Sequence, residues 1–120
     1  MPQGARTERV GEEFREILAE AIQRLKDPRI GFVTVTGVKV SHDLRVAWVY
    51  FTALGDDRAR AASRAGLRSA SPHLRHELGR QIRLKVVPEL RFEEDMTPAT
   101  AERVDTILEG IHEQEAGRDA

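Results

Sequence analysis

Positive charge is the chemistry this sequence concentrates. Arg60, Arg64 and Arg68 stand four residues apart, the spacing that lines side chains along one helical face. Arg75, Arg80, Arg83 and Lys85 follow. A guanidinium presents a rigid fork of donors that matches phosphate oxygens, so such a ridge suits a polyanion backbone. From Arg58 to Arg91 nine bases stand against two acids, a local net of +7, and from Phe92 to Ala120 nine acids stand against two bases, a net of −7. The first 57 residues carry eight bases and nine acids, which brings the chain to −1. A basic block builds a local field whatever the total charge. The alternative is that both blocks are solvated faces of a small domain, a description that covers the acidic end better than the basic one. Arg6 and Arg9 form a second basic group at the start of an expected helix, where the macrodipole favours anions, which points to an external partner for them.

Other chemistries find little support. Ser41-His42-Asp43 holds the residue types of a hydrolytic triad, but neighbours in one turn cannot align as nucleophile, base and orienter. His73 and His76 share a helical face with Glu77 nearby, yet no third metal ligand accompanies them. There is no cysteine, and no glycine-rich phosphate loop. The expectation is a chain with no catalytic residues, no metal and no cofactor.

The elements that must position the basic residues follow from periodicity. The 120 residues suit one domain. Met1 to Val10 has no apolar run and no stretch approaches membrane-spanning length, so a soluble, cytoplasmic, monomeric protein is expected. Val10, Phe14, Ile17, Leu18, Ala21, Ile22 and Leu25 predict a helix over 6–26, with Thr7 as N-cap and Asp27-Pro28 as its stop. Val33 and Val35 then alternate on one parity and Val38 and Val40 on the other, a phase change at Gly37 that predicts a β-bulge. Ser41-His42-Asp43 makes the turn into a central strand over 45–52, with Ala47, Val49 and Phe51 toward the helices and Trp48 and Tyr50 on the other face, where they either cover the sheet or stack on bases, the first reading being favoured. A helical stretch opens near Arg58 with Ala59, Ala62, Gly66, Leu67 and Ala70 on a small-residue face. It breaks at Pro72, with Ser71 as cap, and resumes with Leu74, Leu78 and Ile82 inward. Leu84, Val86, Leu90 and Phe92 predict a third strand, which Pro88 assigns to an edge. Thr97-Pro98 would start a last helix carrying Val104, Ile107, Leu108 and Ile111.

The helical crossover makes the third strand parallel to the second. The order helix, strand, strand, helix–kink–helix, strand, helix is similar to the type II KH fold: an α+β domain with a three-stranded mixed sheet, helices packed on one face and, usually, a GxxG loop that clamps single-stranded RNA. The kink here reads Leu67-Arg68-Ser69-Ala70-Ser71-Pro72 and lacks GxxG. At finer grain the chain resembles the ribosome-binding factor A family. The matching segments are Arg6-x-x-Arg9-Val10, the run from Asp27-Pro28-Arg29-Ile30-Gly31-Phe32 to Val38, Ser41-x-Asp43-Leu44-x-x-Ala47-x-Val49-Tyr50-Phe51, Leu74-Arg75, Pro88-Glu89-Leu90-x-Phe92 and Asp95. The resemblance as a whole runs from Arg6 to about Ile111. Where the family carries an Ala-x-Gly kink, this chain has Ala70-Ser71-Pro72.

The resemblance implies a non-enzymatic bacterial factor that binds the immature small ribosomal subunit and its ribosomal RNA. It would support late RNA processing and folding, including growth in the cold, and in many bacteria leaves with the help of a GTPase. The expected organisation is a flexible tail over 1–5, a KH-like RNA-binding domain over 6–112 and a flexible acidic tail over 113–120. The expected RNA contacts are Arg6, Arg9, Arg60, Arg64, Arg68, Arg75, Arg80, Arg83 and Lys85. The competing function is a protein-binding adaptor using the acidic helix over 97–112; salt sensitivity separates the two.

Overall fold

The computed structural model describes residues 2–95, with side chains from Arg6 onward. The expected last helix and acidic tail lie outside the described residues. The elements are α1 (Pro2–Gln23), β1 (Val33–Val40), β2 (Val46–Ala53), α2 (Asp57–Ser69), α3 (Ser71–Gln81) and β3 (Glu89–Glu94). The sheet order is β1-β2-β3, with β1 antiparallel and β3 parallel to β2. The helices cover one face, as the sequence predicts.

α1 buries the expected stripe. Phe14, Leu18, Ala21 and Ile22 are buried, and Val10, Ile17 and Leu25 pack against them. The helix starts earlier than predicted, at Pro2, a residue suited to a first turn because its missing N–H has no partner there anyway. Thr7 therefore lies inside the helix and is not its N-cap. Arg6 and Arg9 likewise lie beyond the first turn, where the dipole penalty fades. Gly11 is buried where α1 crosses β1, and a Cβ there would overlap the Val38 carbonyl oxygen.

β1 changes phase as predicted. The register with β2 shifts between Val35 and Gly37, leaving Thr36 as the extra residue of the bulge. Thr36 uses that position: its hydroxyl donates to the Asp95 carboxylate at 2.6 Å, tying the end of β3 to the far edge strand. In β2, Ala47, Val49 and Phe51 are fully buried, while Trp48 and Tyr50 are half-buried on the helix-free face beside Arg91 and Glu93 of β3.

The loop between α1 and β1 is built on Asp27, which takes the Arg29 backbone N–H at 2.9 Å and the guanidinium at 2.6 Å. That pairing turns the chain so that Ile30 lies over Gly66 of α2 and the Gly31 N–H donates to the buried Ser63 hydroxyl at 3.1 Å. The small-residue face of α2 is thus centred on Ser63, Gly66 and Leu67, and Ala59, predicted to belong to it, is exposed. Gly55, at φ 120°, precedes the Asp56 cap, whose carboxylate accepts the Ala59 N–H at 2.8 Å.

The kink is real, but Ser71 does not cap it. Ala70 stands between the helices in a helical conformation (φ −82°, ψ −5°) with no side-chain cap, and Ser71 and Pro72 are the first two residues of α3. Ala70 donates to the Gly66 and Leu67 carbonyls and accepts from Leu74, so one residue closes both helix ends without a glycine. β3 starts at Glu89, later than the alternation of Leu84 and Val86 predicts. The Arg75 guanidinium takes the Val87 and Pro88 carbonyls at 2.9 and 3.0 Å, and Pro88 has no N–H, so this stretch has little left to offer a ladder. The edge position expected from Pro88 is observed.

Gly11→Ala tests how α1 is seated. In an open helix interior this change gains about 1 kcal/mol. Against the Val38 carbonyl we expect instead a loss of about 1–3 kcal/mol in urea unfolding; a raised midpoint would contradict that seating.

Candidate nucleic-acid interface

The structure sorts the predicted cations by what they touch. Arg60 and Arg64 both reach Glu94 at the end of β3, at 2.9 and 2.8 Å, with the Glu94 side chain only 17% exposed. Arg60 also lies 3.7 Å from Asp57. Arg75 is committed to the two backbone carbonyls before β3. Arg80 pairs with Glu77 at 2.8 Å, and its guanidinium is what chiefly holds the Glu77 carboxyl below the usual carboxylate range. Four of the cations on α2 and α3 are therefore engaged within the fold, while Arg68 is not. Charge reversal at Arg64 or Arg75 would strike the fold as well as any ligand.

Arg6, Arg9, Arg68, Arg83 and Lys85 are exposed, and their side chains make no hydrogen bond or ion pair among the described residues. Three of these five converge. Arg6 from α1 and Arg83 and Lys85 from the connection between α3 and β3 line a groove of about 490 Å³, together with Arg45 at the start of β2. A smaller hollow of about 170 Å³ adjoins it, lined by Arg6, Thr7, His42, Asp43 and Leu44. Glu13 and Asp43 are the acids of the larger groove. Arg45 lies 4.0 Å from Asp43, both side chains well exposed, too loose a pair to cancel its charge.

The hairpin wall of this groove is rigid for local reasons. The Ser41 hydroxyl donates to Asp43 at 2.8 Å and accepts the Arg45 and Val46 backbone N–H groups at 3.1 and 3.0 Å. The Ser41 hydroxyl, then the Arg45 N–H, hold the Asp43 carboxyl below its ordinary range. Leu44 is the one non-glycine residue at positive φ (61°) among the described residues, fixed there by its N–H to the Ser41 carbonyl. Ser41 and Asp43 are turn-formers, as predicted. Among the described residues no group of three or more ligating side chains could hold a metal, and no helix is long and apolar enough to cross a membrane.

Sequence reasoning found Arg6, Arg83 and Lys85 but missed Arg45, which lies outside the basic block and acquires its neighbours only through the parallel strand. It also missed Glu94 as the partner of Arg60 and Arg64, since charge counting carries no distances. Glu94→Gln tests that pairing. Releasing two guanidinium groups should cost about 1–2 kcal/mol of stability and move elution from a polyanion column to higher salt. Unchanged elution would mean that Glu94 does not mask the ridge.

Comparison with known proteins places this geometry in a family. The sequence profile described as "Ribosome-binding factor A" matches residues 6–108. The ribosome-binding factor A of Geobacter sulfurreducens is 47% identical over 115 residues, covering 95% of this chain and 97% of its own. The crystal structure of ribosome-binding factor A from Thermus thermophilus superposes with a TM-score of 0.67 at 31% identity, over 73% of this chain and 94% of that one. A homology model of the Thermus thermophilus factor, as fitted into the cryo-EM map of a 30S complex, matches with a TM-score of 0.60 at 32% identity, over 69% and 88% of the two chains. With a profile match over most of its length and a relative 47% identical across nearly the whole of both chains, this chain belongs to the ribosome-binding factor A family.

Proposed function

We propose that this chain is a non-catalytic, cytoplasmic maturation factor that binds the precursor of the small ribosomal subunit through its ribosomal RNA. In that role it supports late processing and folding of the RNA, including at low temperature, and departs with the help of a GTPase. The observation that carries the reading is the unpartnered cation set: Arg6, Arg83 and Lys85 around one groove, with Arg9 and Arg68 exposed elsewhere. Family membership supplies the particle, since the Thermus relative is fitted in a 30S complex.

Arg60, Arg64, Arg75 and Arg80 belong to the proposed RNA surface in a lesser role. Their present partners compete with phosphate, so they add field more than contact. The small subunit offers RNA as its polyanion, and phosphate contact releases counterions, so affinity must fall steeply with salt.

Co-sedimentation with immature small, mature small and large subunits across a salt series tests the proposal. The expected result is binding to immature small subunits that weakens about 10- to 1,000-fold between 50 and 200 mM salt, according to the number of phosphates engaged. Equal binding to large subunits, or binding indifferent to salt, would overturn it.

A further inference from the structure

The groove between α1, the hairpin turn and the connection into β3 has a floor that phosphate binding alone does not need. Val10, Leu44, Ile82 and Leu84 line it and pack on the hydrophobic core, and Val86 beside them is 57% exposed. Val86 together with the partly buried Val10, Leu44, Ile82 and Leu84 gives the groove an apolar lining of the kind that marks a binding site. Around this floor stand Arg6, Arg45, Arg83 and Lys85 against Glu13 and Asp43, a net of two positive charges from four bases and two acids. Leu44 is held there at a positive φ that leucine rarely adopts, a strain the Ser41 network maintains.

We infer that this groove receives one unpaired nucleotide of an RNA strand, its base lying on the Leu44–Leu84–Val86 floor and its flanking phosphates meeting Arg6, Arg83 and Lys85. The inference rests on the proposed RNA-binding function and adds to it the site and the form of the ligand. A base has two weakly solvated faces and sits between two anionic phosphates, which matches an apolar floor between cationic walls. A paired base cannot reach such a floor, because its faces are covered by its neighbours in the stack. The volume of about 490 Å³ suits a single nucleotide. An acidic peptide would satisfy the walls but offers no flat apolar group between its charges.

Two RNAs test this: a perfect duplex and the same duplex with one bulged nucleotide. Both are titrated into the full chain, with the methyl resonances of Leu44, Leu84 and Val86 followed by NMR. The wild type should prefer the bulged RNA by about tenfold, with shifts at those methyls. Val86→Ser, at a site exposed enough to leave the fold intact, should erase most of that preference while keeping duplex affinity. Arg83→Gln with Lys85→Gln should weaken both RNAs. Equal affinity of the wild type for the two RNAs overturns the inference, as does a preference that survives Val86→Ser. Methyl shifts produced by a peptide of residues 96–120 and not by RNA would assign the groove to the chain's own acidic end and overturn it too. Co-sedimentation of the same preparation with small subunits separates the outcomes. Particle binding without the bulge preference sinks the groove alone, and loss of both sinks the function.

Discussion

The parallel pairing of β3 with β2 is the constraint on which the rest depends. β2 ends at Ala53, and β3 must begin beside Val46 at the other end of the sheet, so the chain has to travel back. α2 and α3 make that return, and the break at Ala70 lets them do so while Leu67, Leu74 and Leu78 all stay buried. Two consequences follow. The connection into β3 lands beside the β1–β2 turn and the first turns of α1, and this creates the cationic groove. The end of β3 lands beside α2, and this delivers Glu94 to Arg60 and Arg64.

One strand therefore sets the electrostatics at both of its ends. At its far end one acid is shared by two ridge arginines, and at its near end the side chains of two bases have no partner among the described residues. Arg75 links these effects to the fold. By taking the Val87 and Pro88 carbonyls it fixes where the strand begins, and so where Arg83 to Val86 sit. A carbonyl left buried without such a donor would cost more than the hydrogen bond itself contributes. Arginine here is bound into the fold in one place and left open to solvent in another, a distinction that total charge cannot express.

Much of the fold was legible because it rests on local periodicity. The stripe of α1, the parity change at Gly37, the buried parity of β2 and the edge position signalled by Pro88 each depend on residues close in sequence. The misses share an opposite cause. The uncapped kink at Ala70 is settled by backbone bonds, and the burial of Ser63 and the late start of β3 by partners farther along the chain. The site was half legible for the same reason. Spacing identified Arg60, Arg64 and Arg68 as a ridge, but only tertiary proximity reveals that Glu94 masks two of them and that Arg45 joins Arg83 and Lys85.

The central claim is that RNA is met by the uncompensated cations of the groove and not by the compensated pair on α2. The salt dependence of affinity for small subunits, measured for single substitutions, tests it most directly. The account predicts that Arg6→Gln, Arg83→Gln and Lys85→Gln each reduce the log–log slope by about 0.7–0.9, one phosphate contact apiece, while Arg60→Gln leaves it unchanged. A slope that falls for Arg60→Gln and holds for the three groove variants would contradict it.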